Sequence, residues 1–118
     1  MVNFVIVHHN TPELTSALLS NIEKTVSGDY RVYIFENGYK RVPVSSDKVI
    51  VFDNSRGQLI SFDKELKKYP NRMKSLGKAS RFGSFKHCIS VDMCFDLIRE
   101  PFILLDSDVL LKKDPTEL

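Results

Sequence analysis

Four short, largely apolar runs punctuate the chain, and each stops abruptly at a polar cluster. Asn3 to Val7 ends at His8-His9-Asn10, and Tyr30 to Phe35 ends at Glu36-Asn37-Gly38. Val49 to Phe52 ends at Asp53-Asn54-Ser55, and Phe102 to Leu105 runs into Asp106-Ser107-Asp108. Short runs without strict alternation suit strands buried on both faces, as in a parallel sheet. After the first run, Thr11-Pro12-Glu13 predicts a helix start: a capping threonine, a proline in the first turn, and an acid at the positive helix end. Leu14, Leu18, Ile22 and Val26 continue it as a stripe at four-residue spacing, and Gly28 is the expected stop. A β-α-β opening implies parallel pairing through a right-handed crossover.

Further on, Leu59 to Leu66 is compatible with a helix ended by Pro70-Asn71. Ser84 is the expected cap of another helix, with Phe85, Ile89, Met93 and Leu97 as its buried stripe and Glu100-Pro101 as its end. No repeat or low-complexity linker divides residues 1–118. The expected architecture is one α/β domain: an open, mainly parallel, Rossmann-like sheet with flanking helices. A chain of 118 residues can bury one core but is small for an enzyme that must hold two substrates.

Composition alters this picture only locally. Apolar and charged fractions of 42% and 27% are ordinary for a globular protein. The net charge of +2 conceals a block from Lys64 to Lys86 with eight Lys or Arg and a single acid, Glu65. Such a block either clamps phosphates or forms a solvated loop, and without interleaved aromatics it does not point to a specific nucleic acid. Cys88 and Cys94, six positions apart, would lie on different faces of a shared helix, which disfavours a bridge. Two buried free thiols would fit a reducing compartment. Met1 to Val7 is too short and lacks the basic flank of a signal peptide, and no apolar run is long enough for a bilayer, so a cytoplasmic location is expected.

In an open parallel sheet all four polar clusters fall along the carboxyl edge of the strands, where ligands of such folds bind. Asp106 and Asp108 differ in kind from the rest. In extended chain, residues two apart point to one side, and two carboxylates held together call for a cation or hydrogen bonds. Hard oxygen ligands of this kind select Mg²⁺ or Mn²⁺, which retain open positions for water and phosphate oxygens.

With these residues in place, the sequence resembles the GT-A glycosyltransferases, particularly family 2-like enzymes. Leu105-Asp106-Ser107-Asp108 is similar to their Leu-Asp-x-Asp, Glu36-Asn37-Gly38 to the acidic turn after their second strand, and Val7-His8-His9-Asn10 to the turn after their first. Gly83-Ser84 and His87 resemble a small-residue helix start near the donor. The resemblance implies that a nucleotide-diphospho-sugar donor binds here and that its sugar passes to an acceptor glycan or lipid-linked glycan. His8 and His9 would flank the nucleobase beside Asn10 and Asn37, and Glu36 would accept a hydrogen bond from it. Asp106 and Asp108 would hold the diphosphate through Mn²⁺ or Mg²⁺. Ser84 and His87 would touch ribose or phosphate; a cap and a surface histidine explain them equally. The resemblance places the general base of inverting members well downstream, whereas only ten residues follow Asp108. The chain therefore reads as a donor-binding half, whether a truncated piece, a gene remnant or a piece completed by another subunit. The competing reading is a module that binds nucleotide-sugars without turning them over. A HAD-type phosphatase would open, rather than close, with Asp-x-Asp. A receiver-like domain would carry paired acids where His8-His9 stand.

Overall fold

A computed structural model of the chain describes residues 1–68 and 79–117. In chain order the elements are β1 (Val2–His8), α1 (Pro12–Thr25), β2 (Tyr30–Glu36), β3 (Val49–Asp53), α2 (Phe62–Lys67), α3 (Ala79–Ile98) and β4 (Ile103–Leu105), followed by a 3₁₀ turn at Pro115–Glu117. The strands form one sheet in the order β3-β2-β1-β4, and every pairing is parallel. The fold is thus α/β with a Rossmann-like sheet. Among the described residues, no helix is long and apolar enough to cross a membrane.

Parallel pairing buries both faces of the central strands, and alternate residues of β1 and β2 feed two cores. Phe4, Ile6, Val32 and Ile34 pack with Leu18, Ile22 and Val26 on the α1 side. Val5, Tyr33 and Phe35 pack with Cys94 and Ile98 on the α3 side. The chain moves one way from β1 to β2 and the other way from β3 to β4. Two right-handed crossovers in opposite directions place their helices on opposite faces, as found.

Several local expectations are corrected. Leu14 is 48% exposed, and Thr15 takes the buried place on α1 instead. Thr11 stands at the N-cap position but makes no side-chain cap bond. Helix α1 ends at Val26 in extended backbone, so Gly28 does not serve as a left-handed stop; among the described glycines only Gly57 has a positive φ, 69°. Helix α3 begins at Ala79, which puts Ser84 inside the helix rather than at its cap. From Gly83 onward its buried positions are Phe85, Ser90, Cys94 and Ile98, with Ile89 and Met93 partly buried and Leu97 exposed. The helix ends at Ile98, before Glu100-Pro101, and Arg99 follows in the left-handed region with φ 55°. Cys94 is buried as expected but Cys88 is exposed; both are free thiols. Helix α2 is shorter than expected and is capped by Ser61, whose hydroxyl accepts from the Lys64 amide. Pro70-Asn71 and residues 69–78 of the basic block lie outside the described residues.

Candidate functional site

The strand ends are level. His8 pairs with Glu36, and Glu36 pairs with Asp53, so the first polar residue of three clusters forms a row across β1, β2 and β3. The next amides continue the ladder: Asn37 N–H donates to the His8 carbonyl (2.9 Å) and Asn54 N–H to the Glu36 carbonyl (2.7 Å). Strand order reverses between β1 and β4, and such a reversal opens a crevice at the carboxyl edge because the flanking helices diverge to opposite faces. The turn His9-Asn10-Thr11 borders that crevice from β1, and Asp106-Ser107-Asp108 borders it from β4. The Thr11 and Ser107 hydroxyl oxygens meet across it at 3.4 Å.

Asp106 and Asp108 are both exposed, and Ser107 is half-buried. The Val109 amide donates to the Asp106 carbonyl (3.2 Å), closing a tight turn directly after β4. The carboxylates are therefore placed by this turn and not by the same-side rule of an extended strand. Downstream, Asn21 on α1 clamps the backbone of Leu111: its Nδ2 donates to the Leu111 carbonyl (3.0 Å) and its Oδ1 accepts from the Leu111 amide (2.6 Å). Leu111 also packs on the α1 core, so both ends of the acidic turn are anchored. Among the described residues, no group of three or more His, Cys, Asp or Glu gathers as a closed metal site. Asp106 and Asp108, two positions apart in this turn, carry hard oxygen donors of the kind Mg²⁺ or Mn²⁺ takes together with water and phosphate oxygens.

His8 and Glu36 are enclosed, 0% and 2% exposed, and face each other. The Glu36 Oε2 lies 2.5 Å from His8 Nδ1 and also accepts from the Gly38 amide (3.2 Å). The Thr11 amide donates to His8 Nε2 (3.1 Å). An Nε2 that accepts carries no proton, so the imidazole is the neutral Nδ1–H form donating to the Glu36 carboxylate. These two residues, expected at the nucleobase, are instead buried inside the strand ends, while His9 is exposed. Asn10 adopts φ 54°, a conformation asparagine tolerates, and its Oδ1 accepts from the Lys40 amide (2.9 Å). Gly38 is required here by close approach, since a Cβ would sit 2.3 Å from Asn10 Oδ1 and 2.7 Å from its amide nitrogen.

Asn37 is likewise committed inward. Its Nδ2 donates to Ser90 Oγ on α3 (2.8 Å), and its Oδ1 accepts from Asn54 Nδ2 (3.0 Å). Asn54 Oδ1 in turn accepts the Leu59 and Ile60 amides (2.9 and 2.7 Å), folding the loop after β3. Beyond this network lies an open cavity of about 310 Å³, lined by Asn37, Asn54, Arg56, Phe62 and Lys86 among others. The Lys86 ammonium lies 5.5 Å from the centre of the Phe62 ring. Asp53, third in the row, is held below the usual carboxylate range by the Ser55 hydroxyl and amide, and then by Arg41, whose guanidinium lies 2.6 Å away.

Arg56, Phe62 and Lys86 were not singled out from the sequence. Arg56 follows the Asp53-Asn54-Ser55 cluster, and that adjacency was the available signal. Lys86 was visible only as one member of the basic block. Ser84 is exposed on α3; His87 is half-buried on the α3 turn between Lys86 and Ser90. Neither is brought to the β1–β4 crevice by a described hydrogen bond. No family model, curated protein or solved structure matches this chain.

Proposed function

We propose that the carboxyl edge of this sheet binds a nucleotide-diphospho-sugar, and that the chain is the donor-binding half of a GT-A-type glycosyltransferase. One observation carries the reading: the β1–β4 reversal of an all-parallel sheet sets an acidic turn, Asp106-Ser107-Asp108, against the Thr11 end of the β1 turn. In this reading Asp106 and Asp108 would hold Mn²⁺ or Mg²⁺, which would supply positive charge beside the diphosphate. His9 and Asn10 approach the ligand from β1, supported from behind by His8 and Glu36. The cavity with Arg56, Phe62 and Lys86 supplies an aromatic face and two cations farther along the same edge. Neighbouring strands lie about 4.8 Å apart, so the β4 end and the β2–β3 end are roughly 12 Å apart, a span suited to an extended nucleotide-sugar.

Binding without transfer is the second reading. Of the acids after Asp108, Asp114 is engaged elsewhere: its carboxylate accepts from the Ser27 amide and hydroxyl and from Thr116. It is thus a structural clip rather than a base for an acceptor hydroxyl.

Calorimetry with UDP-, GDP- and TDP-sugars, with and without Mn²⁺, tests the proposal. At least one donor should bind, and more tightly in Mn²⁺. If none binds under either condition, the donor-site reading is lost. Binding accompanied by neither hydrolysis nor transfer selects the module.

A further inference from the structure

We infer that the His8–Glu36 pair is a proton-operated latch on the β1–α1 turn. Both imidazole nitrogens are committed: Nδ1–H donates to Glu36 and Nε2 accepts the Thr11 amide. The pair is sealed from solvent and joins three segments, because Glu36 also takes the Gly38 amide and Gly38 packs on Asn10. Uptake of one proton from solvent at Nε2 converts that nitrogen from acceptor to donor. Nε2–H then faces the Thr11 N–H, two donors without an acceptor between them, and the Thr11 amide must let go. Residues 9–11 move with it, and with them the Thr11 hydroxyl opposite Ser107.

Imidazole is a stronger base than a carboxylate, so an added proton goes to the ring. Charged or titratable residues placed toward this edge include His9 beside His8, Glu13 in the first turn of α1, Lys40 after Gly38, Asp53 on β3 paired with Arg41, Lys86 and His87 on α3, and Asp106 and Asp108 after β4. Among the described hydrogen bonds and ion pairs, Glu36 is the charged group that meets the imidazole.

Nitrogen-15 NMR of the whole chain, taken from about pH 8 down to about pH 5, tests this without any nucleotide. At the upper end His8 should show the Nδ1–H tautomer. As His8 Nε2 gains its proton, the Thr11 amide should lose its hydrogen bond with the same midpoint, its hydrogen exchange rising about tenfold or more. In Glu36→Gln the midpoint should fall, by about tenfold or more in proton affinity, because the carboxylate charge is gone. In His8→Gln the Thr11 amide should be flat with pH. An Nε2–H tautomer at the upper end overturns the inference. So does a Thr11 amide unmoved while His8 titrates, absence of proton uptake by His8, or an unshifted midpoint in Glu36→Gln. Should His8→Gln fail to fold, the parent and Glu36→Gln titrations decide alone. Because these readouts need no ligand, their failure is distinct from failure of the donor-site reading.

Discussion

Gly38 shows how a single residue ties two turns of the edge together. Its missing side chain leaves the room that Asn10 occupies, so Gly38→Ala should destabilise the fold by about 1–3 kcal/mol, read as a lower urea midpoint at unchanged slope. The Glu36-Asn37-Gly38 cluster was legible as a strand end. The need for glycine was not, because the contact that demands it comes from Asn10 on another turn. The same holds for His8 and Glu36: the sequence shows two polar strand ends, while only the level register makes them face one another. Asp114 gives a prediction with a definite sign. The Ser27 amide first, with Thr116 and the Ser27 hydroxyl, holds its carboxyl well below the ordinary range. A carboxyl with a depressed folded-state pKa stabilises above its unfolded value and loses that contribution as pH falls through the folded one. Asp114→Asn should therefore be less stable than the parent at neutral pH. The gap should narrow below about pH 4, as thermal melts across pH would show.

At the scale of elements, periodicity located the helices but misjudged which residues they bury. Helix α1 turns Leu18, Ile22 and Val26 inward, yet its first turn rotates Leu14 out and Thr15 in. Leu18→Ala should cost about 2–5 kcal/mol, whereas Leu14→Ala should cost well under half of that; denaturant titrations of both variants separate them. A four-residue repeat drifts around a 3.6-residue helix, and that drift is why a stripe read at constant spacing loses its outermost member. Helix α3 was misread for a different reason. It starts upstream of Ser84, so a serine that can cap sits inside a helix and signals nothing. Its Ser90 is buried for a polar purpose, reaching Asn37 while donating to the Lys86 carbonyl (2.7 Å), and hydrophobic patterning is blind to such a position.

For the molecule as a whole, four apolar runs closed by polar clusters were enough to anticipate a parallel α/β sheet. The strand order was not contained in those runs, since it depends on which way each crossover turns. The observed order places the Asp106 turn beside β1 and makes the acidic cluster part of a crevice rather than an isolated loop. It also sets the Arg56, Phe62 and Lys86 cavity along the same edge, a juxtaposition that no single stretch of sequence displays. We propose that this edge holds a nucleotide-sugar through a cation on Asp106 and Asp108. The most direct measurement is the Mn²⁺-dependent affinity for the preferred donor in the parent, Asp106→Ala and Asp108→Ala, with circular dichroism confirming that each variant folds. Both carboxylates are exposed, so the variants should fold normally while losing about tenfold or more in Mn²⁺-dependent affinity, a change of about 1.4 kcal/mol. Donor binding as tight in both variants as in the parent would contradict the account.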